Sequence, residues 1–338
     1  MKKIIIAVLA VAAMVACSKE QTVVAPKGDA IGFSTFVENS TRAADITTDN
    51  IANFGVYGTV AKGDNSALIF NNTEVSGSKD AGYEYSPAQY WIASATYDFL
   101  AFAPYSNAKW GYTPTEDQVA KTGKLTFDNE AAEADQDVVY AYANRTTGAE
   151  LNAVNTGEVS LTFKHILSKV AFKFTNNFTD GNTTLSIYNV KINNTAKTGT
   201  MPIEALEDGA WTGADNLVVA FGEQKQAANE YASADLDNGD VLELGHHYLI
   251  PVEREYNITF DVDLYQAGVY LATYEHEIKT TINFAKNGNY VLSVKLAPEN
   301  VDPDNALYPI EFKVETVNGW DDSTINFPVE EEDEEENA

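Results

Sequence analysis

The chain has 338 residues, of which 44% are hydrophobic and 11% aromatic, and its formal net charge is −28. This length and apolar content favour folded domains with cores of their own over a disordered chain. A surface with so much negative charge repels phosphate groups, which excludes nucleic acid as a leading partner. Tyr and Phe are abundant, with 18 and 16 residues, and this composition favours β-strands.

The first 16 residues have the layout of a lipoprotein signal peptide. Lys2 and Lys3 precede an apolar run over residues 4–15, which is too short to cross a bilayer as a helix, and small Ala16 precedes Cys17. Cys17 is the only cysteine in the chain, so it has no partner for an internal disulfide. We therefore expect signal cleavage before Cys17 and acylation of its sulfur, which would anchor the protein at the cell surface in the outer membrane.

Residues 17–42 contain a lipidated tether followed by the first predicted strand. In the strand candidate, residues 31–37, the apolar side chains of Ile31, Phe33 and Val37 fall on one side of an extended chain. A polar loop follows, and Arg42 in this loop is open to a trypsin-like protease. The alternative is that Arg42 is an ordinary surface arginine.

From residue 51 onward, short strand-like runs alternate with turn signals rich in Gly, Asn and Asp. The predicted strands cover residues 54–60, 90–92, 97–102, 124–127, 138–143, 159–163, 169–174, 184–192, 248–251, 256–265, 270–278, 290–296 and 310–317. No stretch keeps a helical period, so the pattern predicts an all-β protein of β-sandwiches. We expect one sandwich over residues 43–157, a second over 158–328, and an acidic, disordered tail over 329–338.

Short motifs spread along the chain resemble the fimbrillin family, the Mfa-like and FimA-like pilus subunits of the Bacteroidetes. In chain order they are residues 31–33 (IGF), 41–43 (TRA), 51–56 (IANFGV), 90–91 (YW), 98–104 (DFLAFAP), 137–141 (DVVYA), 159–172 (VSLTFKHILSKVAF), 288–292 (GNYVL) and 317–320 (VNGW). The resemblance covers nearly the whole chain after the leader. Its most specific part is the 163–170 segment combined with the lipidation site and the 41–43 motif.

The resemblance implies two tandem transthyretin-like, Greek-key β-sandwiches and a route of assembly. A protease cuts between Arg42 and Ala43, the strand over residues 31–37 is lost, and a strand from a neighbouring subunit fills the groove. The product is a fimbrium that supports cell adhesion. The implied partners are other fimbrial subunits of the same or a different kind, the outer membrane through the lipid anchor, and a host or bacterial surface receptor.

A candidate donor segment lies near the C-terminus. Ile325, Phe327 and Val329 occupy alternate positions of an extended chain, but Pro328 has no N–H and would interrupt strand pairing. The alternative is that this segment is the last strand, or a frayed end, of the second sandwich. The sequence therefore leaves stalk, tip and anchor subunits open.

Two other functions are alternatives to the fimbrial one. In a glycan-binding surface lipoprotein that does not polymerise, Trp110, which lies in a loop-like stretch, is the best candidate for an exposed ring that stacks on sugars. A surface hydrolase would need a catalytic motif, and none is recognisable in the sequence. We expect His165 to be a packed structural residue, and we expect no enzymatic activity, no cofactor and no metal site.

Overall fold

The structure is a computed structural model. It describes residues 30–38, 45–105, 110–115, 118–130, 136–152, 155–207, 209–224, 236–304, 310 and 312–316.

β-strands make up most of this described part, which confirms the all-β prediction. They are β1 (Phe33–Val37), β2 (Asn53–Lys62), β3 (Asn65–Ser78), β4 (Gly82–Glu84), β5 (Thr96–Ala103), β6 (Trp110–Thr115), β7 (Gln118–Asp128), β8 (Val139–Thr146), β9 (Val159–His165), β10 (Ser168–Asn176), β11 (Thr183–Pro202), β12 (Thr212–Phe221), β13 (Val241–Glu243), β14 (His247–Leu249), β15 (Arg254–Gln266), β16 (Val269–Ile282), β17 (Asn289–Leu296) and β18 (Lys313–Thr316). A short 3₁₀ turn, Ile203–Ala205, follows β11. The described residues contain no helix with the length and apolar character needed to span a membrane.

Seven strands form the first sheet, in the order β1-β9-β8-β5-β2-β3-β4. β1 runs parallel to β9, whereas the other neighbours in this sheet pair in antiparallel fashion. The sheet curls so far that its two edge strands meet. Thr35 of β1 and Tyr83 of β4 share a hydrogen bond of 2.9 Å where they do so. The inner face of the curl holds an apolar core that includes Phe54, Phe70 and Phe99.

The remaining strands form two further sheets that share a core. One has the order β13-β10-β17-β18, with β14 also paired to β10, and the other has the order β16-β15-β11-β7-β6, with β12 also paired to β11. Phe172 of β10, Leu292 of β17 and Phe260 of β15 belong to the buried cluster that both sheets contribute to. Two sheets that bury their inner faces against each other in this way form a β-sandwich.

A third apolar cluster joins the curled sheet to the sandwich. Tyr57 and Phe102, on strands of the curled sheet, pack in one cluster with Trp110 of β6 and with Trp211. The indole N–H of Trp211 also donates to the carbonyl of Ile166 at 3.0 Å. The two parts of the protein therefore share a buried interface.

Hydrogen bonding between strands continues across the domain boundary expected at residues 157/158. β9 lies after this boundary, yet it pairs with β1 and β8 in the first sheet. β6 and β7 lie before it, yet they extend the sandwich sheet through the pairing of β7 with β11. The tandem transthyretin-like, Greek-key topology stays a prediction.

Five of the described strands, β3, β4, β6, β12 and β13, were not predicted from the sequence. In β3, only Phe70 and Val75 are fully buried, so the strand lacks the regular alternation that would have revealed it. Conversely, residues 90–92 were predicted as a strand, but they form only a single bridge, between Tyr90 and Ala30.

Candidate functional site

The first strand completes the curled sheet. β1 pairs with β9 over five residues, from Phe33 opposite Val159 to Val37 opposite Phe163. The pairing extends beyond the strand, because the N–H of Val159 donates to the carbonyl of Gly32 at 2.8 Å. β1 therefore enters the fold as a strand paired along its whole length with β9 and not as loose tether.

β9 depends on β1 for most of its pairing. It meets β8 only at its end, where Lys164 and His165 are the paired residues. Over residues 159–163, β1 is the partner of β9 among the described strands. Loss of β1 would expose this stretch as a sheet edge, and an exposed edge is a template for another strand.

Three side chains of the N-terminal segment lie in the inner core of the curled sheet. Ile31, Phe33 and Val37 are 1%, 2% and 3% exposed, and all three belong to its apolar cluster. Phe36 lies on the opposite side of the strand and is 53% exposed. The structure therefore brings together the three residues that the sequence predicted to share a side.

Phe33 occupies an aromatic pocket. Its ring centroid lies 5.5 Å from that of Phe70, 5.7 Å from that of Phe99 and 5.8 Å from that of Tyr85, all in edge-to-face geometry. Gly58 leaves the space that these rings fill, since a Cβ at Gly58 would lie 2.8 Å from the Phe70 ring. Edge-to-face pairs contribute about 0.5–1.5 kcal/mol each beyond the area they bury, so this pocket favours an aromatic side chain.

The side of β1 away from β9 is held by side chains and not by a strand ladder. The Tyr85 hydroxyl donates to the carbonyl of Ile31 at 2.7 Å. At the other end of the strand, the N–H of Val37 donates to the Thr48 hydroxyl at 2.8 Å. We call the space between β9 and β4 that β1 occupies the strand seam.

A group of buried polar side chains follows directly after the predicted processing loop. Asp45 forms an ion pair with Lys169 of β10, and their side chains are 1% and 2% exposed. Asp45 also accepts a hydrogen bond of 2.6 Å from the hydroxyl of Tyr248 on β14. Beside them, a buried Asp137 lies 3.0 Å from Nδ1 of His165. We call these five residues the ionic cluster.

Asp45 is ionised in this setting. Burial raises the pKa of a carboxyl group, but the hydrogen bonds from Lys169 and Tyr248 and the charge of Lys169 outweigh this effect. The pKa of Asp45 is therefore lowered from its ordinary value of 3.8. The charge that the ion pair needs is present at neutral pH.

Of the ionic cluster, the sequence identified only His165 as a packed structural residue. Lys169 was missed because it lies at the start of an alternating strand, on the face opposite to Phe172 and Phe174, which looks exposed in the sequence. Asp45 was missed because a single acid after a polar loop carries no pattern. Asp137 and Lys169 do lie within motifs quoted above, and those positions were the available signal.

Several predicted site residues lie outside the described part of the chain. They are Cys17 (lipidation), Arg42 and Ala43 (processing), and Ile325, Phe327 and Val329 (donor segment). Lipidation, cleavage and strand donation therefore stay predictions.

Residues 41–316 match the family model described as fimbrillin-like. The chain belongs to the fimbrillin-like family. The matched span of this fimbrillin-like chain begins at the predicted processing loop and ends with β18, so β1 precedes it.

Several solved structures of Bacteroides proteins are similar to this fimbrillin-like chain. Crystal structures of proposed cell adhesion proteins from Bacteroides ovatus and Bacteroides uniformis are 15% and 14% identical, with a TM-score of 0.48 in both cases. The matches cover 89% and 86% of this chain, and 99% and 98% of theirs. A proposed polysaccharide-binding protein from Bacteroides thetaiotaomicron is 10% identical with a TM-score of 0.41, over 86% of this chain and 98% of its own. No curated protein matches the chain.

Trp110 is not the exposed ring that glycan binding was expected to use. It is buried, its ring centroid lies 4.7 Å from that of Phe102, and its indole N–H donates to the carbonyl of Pro104 at 3.1 Å. The reason is that the loop-like stretch around it forms β6, which packs on the curled sheet. Among the residues that the structure describes, no three or more His, Cys, Asp or Glu side chains are grouped to hold a metal ion.

The burial of one side of β1 predicts that two substitutions in this strand have unequal effects on the free energy of unfolding. We expect Phe33→Ala to lower the free energy of unfolding by about 3–5 kcal/mol, because it empties the aromatic pocket. Phe36→Ala, on the exposed side, should change it by less than about 0.5 kcal/mol. Denaturant unfolding of the chain without its leader measures both, and equal losses would contradict the burial of Phe33.

The ion pair of Asp45 predicts a pH dependence. The folded state lowers the pKa of Asp45, so the resulting stabilisation is present above its ordinary value of 3.8 and is lost as the pH falls through the lower, folded-state pKa. We expect the melting temperature of Asp45→Asn to lie below that of the wild type at neutral pH. The difference should shrink as the pH falls below about 4, where Asp45 of the unfolded chain takes up a proton, and on through the lower, folded-state pKa. A constant difference across the pH range would rule out the ionised carboxylate as its source.

Proposed function

We propose that this fimbrillin-like chain is a structural subunit of a fimbrium at the bacterial surface, which polymerises by strand exchange at the strand seam and supports cell adhesion. The observation that carries the proposal is the position of β1. It is an edge strand with a buried apolar side, and it comes directly before the predicted processing loop. Membership of the fimbrillin-like family supports the same class of function.

A cut between Arg42 and Ala43 would turn β1 into a separate peptide bound only by non-covalent contacts. Burial of Ile31, Phe33 and Val37 stabilises the bound state by roughly 5–9 kcal/mol before entropy is subtracted. Vacating the strand seam exposes this apolar surface and the edge of β9 together. A strand from a neighbour that fills the strand seam buries this apolar surface and pairs with β9 again. The slow exit of a strand that is paired along its whole length with β9 keeps the fibre together.

The same cut would separate the folded part of the protein from its lipid. Cys17 lies on the N-terminal side of Arg42, so the acylated tether and β1 leave as one fragment. We propose that the lipid holds the precursor in the outer membrane until processing and that the processed subunit then joins the fibre. Processing and strand exchange are thereby coupled to release from the membrane.

The segment around Phe327 is the donor that the chain itself offers. Ile325-Asn-Phe327 repeats the Ile-x-Phe spacing of Ile31-Gly-Phe33, so Phe327 of one subunit would enter the aromatic pocket of the next. Pro328 would then take the position of Ser34. If the donor runs in the same direction as β1, it forgoes one ladder bond to β9, because Pro has no N–H.

The alternative is a glycan-binding surface lipoprotein that does not polymerise. The burial of Trp110 removes its main candidate for a sugar platform, and no other specific observation favours it. We propose no enzymatic role and no cofactor.

Limited digestion tests the proposal directly. A trypsin-like protease acting on the chain without its leader should create a new N-terminus at Ala43, and the product should form ladders of oligomers on unheated gels. Arg42→Gln should stay uncut in this loop and monomeric, while Arg42→Lys, which trypsin still cleaves, should behave like the wild type. N-terminal sequencing and intact mass measure the cut.

Two outcomes would overturn the proposal. One is a chain cut at Ala43 that keeps β1 bound and remains monomeric at high concentration. The other is an intact monomer that is retained on a polysaccharide affinity gel, which would favour the glycan-binding alternative.

A further inference from the structure

We propose that the ionic cluster is a positioning device that holds residues 45–51 as the end wall of the strand seam once the chain has been cut and β1 has left. The inference rests on the proposed function, because the device is needed only if the strand seam is vacated and refilled. It assigns to the cluster a role in assembly that is separate from the packing of the core.

Residues 45–51 close the end of the strand seam at which β1 finishes. Thr48 supplies the hydroxyl that accepts the N–H of Val37 at 2.8 Å. Ile46 and Ile51 pack on the same inner core as β1, and Ile51 is fully buried. An incoming strand therefore meets an apolar wall and a hydrogen-bond acceptor that both belong to this segment.

The segment is a compact unit, and at its far end Tyr83 of β4 donates to the carbonyl of Ile51 at 2.9 Å. The Asn50 side chain accepts from the N–H of Thr47 at 2.6 Å and donates to the carbonyl of Asp45 at 2.7 Å. The N–H of Ile51 donates to the carbonyl of Thr47 at 3.1 Å. The bonds within the segment fix its residues relative to one another, but they do not fix the unit relative to the sheets.

The ionic cluster attaches this unit to both parts of the protein. Asp45 bonds to Lys169 on β10 and to Tyr248 on β14, two strands of the sandwich. Asp137, just before β8 of the curled sheet, accepts the N–H of Ile46 at 2.9 Å and is paired with His165 of β9. The end wall is thus pinned by charged and polar bonds from both sides.

After cleavage, residues 45–51 depend on the ionic cluster for their position. In the uncut chain, residues 45–51 are also restrained by the covalent path back to β1. After a cut following Arg42, Asp45 is the third residue of the new chain, and chain ends are where fraying begins. Fraying past Thr48 would remove the wall at the moment when the next strand must enter.

A buried ion pair suits this task better than an apolar contact. Such a pair adds little net stability, because desolvation offsets the attraction between the charges. Displacing one partner, however, leaves the other charge buried and uncompensated, which is strongly unfavourable. The ion pair therefore holds Asp45 in a single position, and this keeps the new N-terminal segment in place.

The test compares two lysine substitutions in the full chain without its leader, cut at Arg42 with β1 still bound. Lys169→Met breaks the ionic cluster. Lys79→Met is the matched control, because Lys79 also pairs with this segment, through Asp49 at 3.2 Å, but that pair is exposed. The readouts are the rate at which a labelled peptide of residues 30–38 replaces the bound β1 fragment, and the hydrogen exchange of residues 46–51.

We expect Lys169→Met to speed replacement of β1 by at least about tenfold and exchange of residues 46–51 by at least about 100-fold, with protection of β17 unchanged. Lys79→Met should change either rate by less than about twofold. In the uncut chain, the effect of Lys169→Met on residues 46–51 should be smaller than in the cut chain.

Two further variants cover a failure of Lys169→Met to fold. Tyr248→Phe removes one hydrogen bond to the carboxylate and should speed exchange of residues 46–51 by about tenfold. The double variant Asp45→Asn with Lys169→Met leaves no unpaired charge, so it should be closer to the wild type than Lys169→Met alone.

The outcomes separate the two proposals. If residues 46–51 stay protected in cut Tyr248→Phe and in folded Lys169→Met, or if exchange rises equally in β17, the positioning role is overturned while strand exchange stands. If the cut wild-type chain neither exchanges β1 nor polymerises, the proposed function fails, and this inference fails with it.

Discussion

The parallel pairing of β1 with β9 is the interaction on which the curled sheet depends. β9 has β1 as its partner over residues 159–163, and β1 also carries the side chains that close the inner core against β4. A strand from one end of the chain thus completes a core built by strands that follow it. This order of connection makes the core separable, because one loop is the covalent link between β1 and the strands that it completes.

The side chains around the strand seam make it selective as well as separable. The pocket for Phe33 is formed by rings on strands that remain when β1 is gone, and Gly58 creates its width. The hydrogen-bonding groups of Tyr85 and Thr48 also belong to the remaining fold. A replacement strand therefore meets a preformed set of contacts, and in this view the ionic cluster keeps the last of them in place.

Local patterns in the sequence predicted the local features of this site and missed those that depend on distant segments. The one-sided burial of Ile31, Phe33 and Val37 follows from strand alternation, which neighbouring residues determine. The burial of Lys169 depends on its ion pair with Asp45, 124 residues away, whereas the strand alternation around Lys169 places it on the face that looks exposed. Sheet membership is equally non-local: β9 and β7 each pair across the turn-rich stretch that resembled a domain boundary.

The exposed face of β1 has a consequence for sequence variation in this strand. Phe36 points to water and makes no demand on the core, so positions on that side of the strand are free to vary from one subunit to another. A segment that occupies the strand seam therefore needs a matching buried side, whereas the side chains on its outer face can change without loss of fit to the core.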